Sequence, residues 1–176
     1  MILLIGASAT GKTEVGKLLN AKFGIKKVIT YTTRLKRESE KEDVDYHFIS
    51  KDEFEEKTKN NFFFEWVIYN DTYYGTSYES LNKDSYLIID SKGFEKYFGS
   101  DLKYKSFYLE SSKEVRLNRM LIRGDLFESA LKRLEIDDVV FNNDIRSKVD
   151  YVINTDFITL NNVADMIYNY YKKNNW

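Results

Sequence analysis

The chain has 176 residues, of which 43% are hydrophobic and 31% are charged, and its formal net charge is −1. This length and composition predict one globular domain with a buried core, and the near-neutral charge argues against a general nucleic-acid or anionic-membrane surface. Because there is no cysteine, disulfides, thiolate metal sites and cysteine nucleophiles are excluded, and the single histidine disfavours a histidine-rich metal site. We therefore expect a cytoplasmic protein that binds neither nucleic acid nor membrane.

The apolar run at residues 2–5 predicts a buried strand, and it is too short for a membrane span or a signal peptide. The next eight residues fit G-x-x-x-x-G-K-[ST], the phosphate-binding loop, with a strand before it and a helix after it. These predicted triphosphate-binding residues, which we call the phosphate loop, are Gly6, Ala7, Ser8, Ala9, Thr10, Gly11, Lys12 and Thr13. A chance match in a strand-to-helix turn is the alternative, which this context disfavours.

The residue types of the phosphate loop explain its chemistry. Gly6 and Gly11 permit backbone angles that let successive N–H groups surround an anion, and the following helix points its positive end at that anion. Lys12 can reach the β- and γ-phosphates, and the Thr13 hydroxyl can ligate Mg²⁺. The loop therefore predicts binding of a nucleoside triphosphate.

The rest of the chain alternates between predicted helices and strands. Helices are predicted from the phosphate loop to Gly24, over residues 51–59 with Ser50 as N-cap, and over 115–123, 127–141 and about 160–170. Strands are predicted over residues 27–30, 62–69, 86–89, 106–109 and 151–153. This alternation predicts an α/β fold with a mostly parallel central sheet and helices on both faces. The charged and aromatic block at 31–84 indicates an inserted subdomain.

Two groups of cations are candidates for phosphate binding. Arg34 and Arg37 lie in a short basic stretch, where a solvated loop is the alternative to an anion clamp. Arg116, Arg119 and Arg123 share one face of a predicted helix, and no acid lies three or four residues from any of them. This pattern indicates an external anion, with an exposed basic face as the alternative.

Two carboxylates lie in or beside apolar segments, where they cost free energy unless they meet donors. Glu65 lies between Phe64 and Trp66, so strand alternation leaves open whether its side chain faces solvent. Asp90 follows an apolar strand, at the edge where open α/β sheets place their sites. A functional role is therefore favoured for Asp90 and left open for Glu65.

In order and spacing, these motifs resemble the guanylate kinase family, whose members use ATP to convert GMP to GDP. The resemblance runs nearly end to end and includes the phosphate loop, Thr32-Thr33-Arg34-x-x-Arg37, Asp45-Tyr46-x-Phe48, Phe64-Glu65-Trp66, Tyr73-Tyr74-Gly75-Thr76, Asp90-x-x-Gly93 and Arg119-x-x-x-Arg123-Gly124. It implies a three-layer α/β/α fold with a core of about 1–30, 85–118 and 141–176. It also implies a GMP-binding subdomain of about 31–84 and a helical lid of about 119–140.

The resemblance implies a role for each matching residue. The implied catalytic residues are Lys12, Arg34, Arg119, Arg123 and Arg133. The implied GMP-binding residues are Thr30, Arg34, Arg37, Tyr46, Glu65, Tyr74, Thr76 and Asp90. In this scheme the arginines and tyrosines hold the phosphate, and the two carboxylates accept the N–H donors of guanine. The implied ligands are ATP, GMP and Mg²⁺ held by Thr13, bound by a monomer or a homodimer.

One departure from the family concerns the metal. Ile88 stands where family members often carry an acid that helps to place Mg²⁺, so we expect Thr13 to hold more of the ion. Two alternatives remain: a kinase for another nucleoside monophosphate, and a non-catalytic module of this family that binds a protein. Because such modules typically lose the phosphate loop and the lid arginines, Lys12, Arg119 and Arg123 disfavour the module.

Overall fold

The computed structural model describes residues 1–38, 40–69, 71–141 and 143–173. The helices are α1 (Lys12–Phe23), α2 (Lys51–Lys59), α3 (Ser91–Tyr97), α4 (Lys113–Ile122), α5 (Phe127–Val140), α6 (Asn143–Lys148) and α7 (Leu160–Lys173). The strands are β1 (Ile2–Ile5), β2 (Lys26–Lys27), β3 (Tyr31–Thr32), β4 (His47–Phe48), β5 (Phe63–Tyr69), β6 (Thr72–Ser77), β7 (Ser85–Ile89), β8 (Lys105–Glu110) and β9 (Tyr151–Asn154).

A five-stranded parallel sheet with the order β2-β7-β1-β8-β9 forms the centre of the molecule. Ile2 and Leu4 of β1 face a core that α1 and α7 complete, while Leu3 and Ile5 face the opposite core with α3 and α6. Both faces of β1 are therefore buried, which explains its continuous apolar run. The predicted parallel sheet with helices on both faces is confirmed.

A second, smaller sheet has the order β4-β3-β6-β5, in which β6 runs antiparallel to both of its neighbours. Helix α2 covers it, and Ser50 caps that helix by accepting a hydrogen bond from the Glu53 N–H. Phe54 of α2 is fully buried and stacks on Phe63 with ring centroids 4.4 Å apart. This sheet lies within the block that the sequence assigns to GMP binding, an assignment that stays a prediction.

Helices α4 and α5 form a hairpin around Gly124, whose φ of 95° suits glycine. The hairpin has a small core of its own, made of Met120, Ala130 and Leu134. Ala9 of the phosphate loop packs against this core, so the loop and the hairpin form one packed unit. The assignment of this segment as a lid stays a prediction.

Some elements differ from the sequence-based expectation. Strand β2 covers only two residues where a strand over 27–30 was predicted, and β3, β6, α3 and α6 were not predicted as elements. Most of these are short, and α3 begins at Ser91, directly after its N-cap Asp90, whose carboxylate accepts the Gly93 N–H. None of the helices over the described residues is both long and apolar enough to cross a membrane.

Candidate active site

The phosphate loop joins β1 to α1 in a conformation that requires glycine at two positions. Gly6 has a φ of 147°, and a Cβ atom there would lie 2.2 Å from the Leu109 carbonyl oxygen. Gly11 has a φ of 96°, and its Cβ would lie 2.8 Å from the Leu160 side chain. Gly11 is also the N-cap of α1 without a side-chain cap, which leaves the first N–H groups of the helix available to an anion.

Lys12 folds back onto the loop that it follows. Its Nζ donates to Gly6 O at 2.6 Å and to Ala7 O at 2.7 Å. Burial lowers the pKa of Lys12 to about 8, and the positive charges of Arg133 and Arg116 add to this effect while Asp137 opposes it. A polyanion placed beside Lys12 would favour its charged form.

A cavity of about 260 Å³ lies between the phosphate loop, the end of β7 and the second sheet. It brings together ten of the predicted site residues: Gly6, Ser8, Lys12, Thr30, Tyr46, Glu65, Tyr74, Thr76, Asp90 and Arg133. Residues implied for ATP and residues implied for GMP therefore line one cavity. Such a cavity allows two ligands to meet.

A β-bulge decides where Glu65 points. The pairing of β5 with β6 shifts between Phe63 and Glu65, so that Phe63 and Trp66 both contact Phe54 of α2. Glu65 consequently faces the cavity and is 6% exposed, whereas Trp66 is 41% exposed. The Thr76 hydroxyl donates to Glu65 Oε1 at 2.5 Å. The sequence left this orientation open, and the bulge is what favours the buried one.

Burial raises the pKa of Glu65 to about 7; the Thr76 hydrogen bond opposes this shift and the charge of Asp90 adds to it. Burial also raises the pKa of Asp90, against the hydrogen bond from the Gly93 N–H at 2.7 Å. These carboxylates therefore line one cavity with unfilled capacity to accept hydrogen bonds. A ligand with N–H donors would complement them.

The basic stretch after β3 contributes Arg34 beside aromatic rings. Its guanidinium lies 5.5 Å from the centre of the Tyr46 ring and donates to Glu40 Oε1 at 2.7 Å. The hydrogen bond to Glu40 raises the pKa of Arg34 further. Arg37 is exposed, and its backbone N–H donates to the same Glu40 carboxylate at 3.0 Å. Glu40 thus holds both arginine positions near the cavity residue Tyr46.

The arginines of α4 do not present one free basic face, and the sequence-based expectation of unpaired charges was wrong for two of them. Arg123 pairs with Asp125, two residues further along the chain. Arg116 is 5% exposed and pairs with Asp137 of α5 at 2.7 Å. A search at helical spacings of three and four residues misses both of these acids.

The arginines implied as catalytic differ in their positions. Arg119 donates to Ala9 O at 3.2 Å and to Thr155 O at 2.8 Å, so it contacts the outside of the phosphate loop. Arg133 lines the cavity and donates from Nε to Ser8 Oγ at 2.8 Å. Arg123 is exposed and does not line the cavity. Among the three, Arg133 is the one that the structure brings into the cavity.

Asp137 and Thr155 were not predicted as site residues. Asp137 lines the cavity and accepts the Ser8 N–H at 2.8 Å. The Thr155 hydroxyl, which follows β9, donates to Thr10 O at 3.2 Å. The sequence does contain a signal for Asp137: this acid lies at helical spacing from apolar residues, so its side chain is expected to be buried. Nothing in the sequence identified its partner.

The oxygen atoms beside the phosphate loop fit a Mg²⁺ ion that retains mostly water and phosphate ligands. Thr13 is exposed in the first turn of α1. Asp90 accepts the Gly93 N–H with Oδ1 and has a second carboxylate oxygen besides it. In nucleotide sites Mg²⁺ commonly takes only one or two protein oxygens. Ile88 lines the same cavity and provides no ligand atom.

A second candidate metal position lies away from the cavity. Over the four described ranges, the one group of three metal-ligating side chains within reach of each other is Glu42, Asp43 and His47. Glu42 and Asp43 are exposed, and none of the three lines the cavity. This group therefore does not bear on phosphate chemistry at the loop.

The guanylate kinase family model matches residues 1–169. The chain belongs to the guanylate kinase family. A guanylate kinase of Schizosaccharomyces pombe is 33% identical over 144 residues, which cover 76% of this chain and 71% of that protein. A guanylate kinase of Onion yellows phytoplasma is 31% identical over 185 residues, covering 95% of this chain and 82% of that protein.

The fold agrees with this assignment. The crystal structure of guanylate kinase from Anaplasma phagocytophilum matches with a TM-score of 0.69 and 25% identity, covering 98% of this chain and 85% of that chain. The motif-based resemblance to guanylate kinases is therefore confirmed. The cavity lies beside the phosphate loop, and nucleotide kinases with such a loop transfer phosphoryl groups next to it.

Proposed function

We propose that this guanylate kinase family member transfers the γ-phosphoryl group of ATP to GMP in the cavity beside the phosphate loop, giving ADP and GDP. One observation carries the proposal: Lys12 of the phosphate loop and Glu65 of the second sheet line the same cavity of about 260 Å³. A triphosphate-binding loop facing one buried and one half-buried carboxylate is what a kinase with a guanine acceptor needs.

The phosphate loop is the donor side. Its N–H groups and the N-terminus of α1 hold the β-phosphate, and Lys12 turns from Gly6 O and Ala7 O toward the β- and γ-phosphates. The Thr13 hydroxyl, with Asp90 as a helper, would hold Mg²⁺, which supplies charge neutralisation between the β- and γ-phosphates when bound. The full set of ATP-binding residues is residues 6–13.

The base of GMP binds at Glu65 and Asp90, with Thr30 and Thr76 beside them. Guanine has N–H donors at N1 and N2, which two carboxylate acceptors complement, whereas adenine has an acceptor at N1. A carboxylate facing that lone pair would lose its hydrogen bond, and sites built on such pairing reject the mismatched base by about 10⁴-fold. The acceptor preference therefore follows from charge and burial at Glu65.

The phosphate of GMP binds between Arg34, Arg37, Tyr46 and Tyr74. Arginine forks suit a phosphate monoester, and the Tyr46 and Tyr74 rings lie 6.1 Å apart at the cavity wall. Glu40 accepts a hydrogen bond from Arg34 and can release this contact to the phosphate or keep the guanidinium aligned for it. Arg34 then neutralises charge on the acceptor.

The transfer step needs alignment and charge neutralisation more than covalent help. An acceptor phosphate oxygen attacks the γ-phosphorus in line, the bond from that phosphorus to the β–γ bridging oxygen breaks, and ADP leaves. Lys12, Arg34 and Arg133 surround the transferring group, and Arg119 and Arg123 would join them only when closure of the lid releases them from Thr155 and Asp125. The monophosphate is already ionised, so no general base is assigned.

A panel of nucleoside monophosphates tests this function. Purified protein is assayed with ATP, Mg²⁺ and GMP, dGMP, AMP, UMP or CMP by coupled ADP release. We expect turnover with GMP and dGMP and little with AMP. Turnover with another monophosphate but not with GMP or dGMP would contradict the guanine assignment and support the alternative kinase. Absence of ATP binding by calorimetry would support a non-catalytic module.

The proposal also covers the cellular location and the assembly state of the protein. The need for a supply of ATP supports a cytoplasmic location, and the expected assembly is a monomer or a homodimer. The ligands are small nucleotides. Sedimentation of the purified chain at several concentrations measures the assembly state.

A further inference from the structure

Three consecutive carbonyl groups of the phosphate loop are held by side chains from outside the loop. The contacts are Arg116 Nε to Ser8 O at 2.9 Å, Arg119 Nη1 to Ala9 O at 3.2 Å and Thr155 Oγ1 to Thr10 O at 3.2 Å. In a trans peptide the C=O and the following N–H point in opposite directions. These contacts therefore direct the N–H groups of residues 9–11 away from the three side chains, as an anion-binding nest requires.

Asp137 holds the preceding peptide group, between Ala7 and Ser8, in the opposite orientation, with its N–H rather than its C=O toward the supporting side chain. It accepts the Ser8 N–H at Oδ2, at 2.8 Å, and the Ser8 hydroxyl at Oδ1, at 3.3 Å. Because the Ser8 N–H points at Asp137, the Ala7 carbonyl of the same peptide points away from it and accepts from Lys12 at 2.7 Å. Asp137 thus acts on the position of Lys12 through one peptide group.

Arg116 and Asp137 also form an ion pair with each other, between Nη2 and Oδ2 at 2.7 Å. They are 5% and 4% exposed, and such buried charges need partners on every side. For both side chains, part of that requirement is met by Ser8. A movement of Ser8 would therefore leave the pair with unfilled hydrogen-bonding groups.

The loop conformation needs support of this kind. Ala9 has a φ of 62°, a left-handed conformation that costs free energy for a residue with a Cβ. Its methyl group packs against Met120, Ala130 and Leu134 of the α4–α5 hairpin, beside the Arg116–Asp137 pair that joins the same helices. The hairpin thus supports the loop in this strained conformation.

We propose that Arg116 and Asp137 are positioning residues that hold the phosphate loop in its ATP-binding conformation before ATP arrives. The proposal rests on the proposed function only in taking the loop as the ATP site. Neither side chain transfers a proton or a phosphoryl group. Their effect is on the cost of ordering the loop, so it falls on ATP affinity and leaves GMP affinity unchanged.

The test is a double variant that removes both charges and keeps the volume, Arg116→Met/Asp137→Leu. Replacing both members of a buried ion pair by apolar groups avoids leaving one charge unpaired. We expect folded protein whose Kd for ATP, measured by calorimetry with ATP alone, rises by about a hundredfold, or about 2.8 kcal/mol, which lies in the range for lost hydrogen bonds to charged groups. The Kd for GMP alone is expected to stay within about twofold of wild type, because both side chains act on the loop.

Two further variants make the result specific. Asp137→Asn keeps an oxygen that accepts the Ser8 N–H but removes the charge. We therefore expect the Kd for ATP to rise by only about tenfold. Lys113→Met/Asp138→Leu is the matched control. It removes an ion pair that also joins α4 and α5, at 2.5 Å, but whose side chains are exposed. We expect this control to bind ATP as the wild type does.

Each other outcome has a defined meaning. A folded Arg116→Met/Asp137→Leu protein with wild-type ATP affinity, or with equal losses for ATP and GMP, would overturn the proposal. If that variant does not fold by circular dichroism, Asp137→Asn decides, and unchanged ATP affinity overturns the proposal. Wild-type protein is measured first, so that failure to bind ATP or to phosphorylate GMP contradicts the proposed function and not this inference.

Discussion

The phosphate loop and the second sheet face the same cavity, but the loop presents mainly backbone groups and the sheet presents side chains. The loop lies at the end of β1, whose residues are buried on both faces of the central sheet, and two of its glycines leave no room for a Cβ atom. The second sheet offers Glu65, Thr76 and Tyr74 from short strands covered by one helix. Ligand binding by backbone groups depends on the conformation of the loop. Ligand binding by side chains depends on the residue type and on the direction in which each side chain points.

This difference predicts which changes are tolerated. On the loop side, function is lost when the backbone path changes, even where the substituted residue is outside the cavity. On the sheet side, function changes with the chemistry of single side chains while the fold persists. Four experiments measure how far the two sides are separate, in order of decreasing expected effect.

Lys12→Met has the largest expected effect. It removes the one side chain of the loop that carries a charge, and loss of a preorganised charge stabiliser commonly costs about 10³-fold in rate. We expect kcat/KM for ATP to fall by about this factor, with unchanged GMP affinity. Because burial disfavours the charge of Lys12, we expect no loss of thermal stability. Lys17→Met, exposed on the same helix, is the control, and a similar loss there would contradict the assignment.

Glu65→Gln is expected to lower kcat/KM for GMP by about 10²- to 10³-fold, because a guanine N–H then faces an amide group in a buried position. ATP affinity is expected to change by less than about twofold, since Glu65 lies on the second sheet. Steady-state kinetics with each substrate varied separately measure the split. Equal losses for both nucleotides would mean that Glu65 does not contact the base.

The pH dependence of stability gives a third comparison. The pKa of Glu65 is raised from its ordinary value of 4.5 to about 7, so between these values the folded protein holds a proton that the unfolded chain releases. The free energy of unfolding should therefore fall as the pH rises from about 4.5 to about 7, and at 1.36 kcal/mol per pKa unit the fall is at most about 3 kcal/mol.

Urea unfolding of wild type and Glu65→Gln at several pH values isolates this contribution. The variant is expected to lack the part of the fall that Glu65 causes, while Glu56→Gln, an exposed change on α2, should match the wild type. Identical pH profiles for wild type and Glu65→Gln would rule out a raised pKa at this site. The same protonation predicts that GMP binding at pH 6 releases about one proton more from wild type than from Glu65→Gln, because guanine donors favour the carboxylate.

The smallest effect is expected for Ser50→Ala, which removes the N-cap of α2 and should cost about 1 kcal/mol of stability. If the two sides of the cavity open separately, amide hydrogen exchange will accelerate in β5 and β6 and stay unchanged in β1 and β8. Equal acceleration in all four strands would show that the molecule unfolds as a single unit. Ser112→Ala, the corresponding cap of α4, gives the matched perturbation outside the second sheet.

Local signals predicted the loop side well. The spacing of Gly6, Gly11 and Lys12 fixed the phosphate loop because its chemistry depends on neighbouring residues in the chain. Helix α1 ends at Phe23, as predicted, and Gly24 caps it with a φ of 69°. Most of the longer elements were found for the same reason, since helices and buried strands of the central sheet have a periodic pattern.

The second sheet and the arginine contacts were harder to predict because they depend on residues far apart in the chain. Strand β6 has no apolar alternation, and it exists because β3 and β5 pair with it. Arg116 has no acid at helical spacing, and its partner Asp137 lies 21 residues away on another helix. The residue types of Arg116 and Asp137 alone could not show that these two side chains are buried together.

The bulge in β5 ties base recognition to strand pairing. If Phe64 paired regularly instead of bulging, the two-residue alternation from Phe63 would resume and the carboxylate would move to the α2 side, against Phe54. Deletion of Phe64 would also close the bulge, but it would leave Phe63 and Glu65 as neighbours opposite Ser77 and Thr76, so the carboxylate would still face the cavity. Selectivity for the acceptor base is in this sense a property of strand register as well as of residue type.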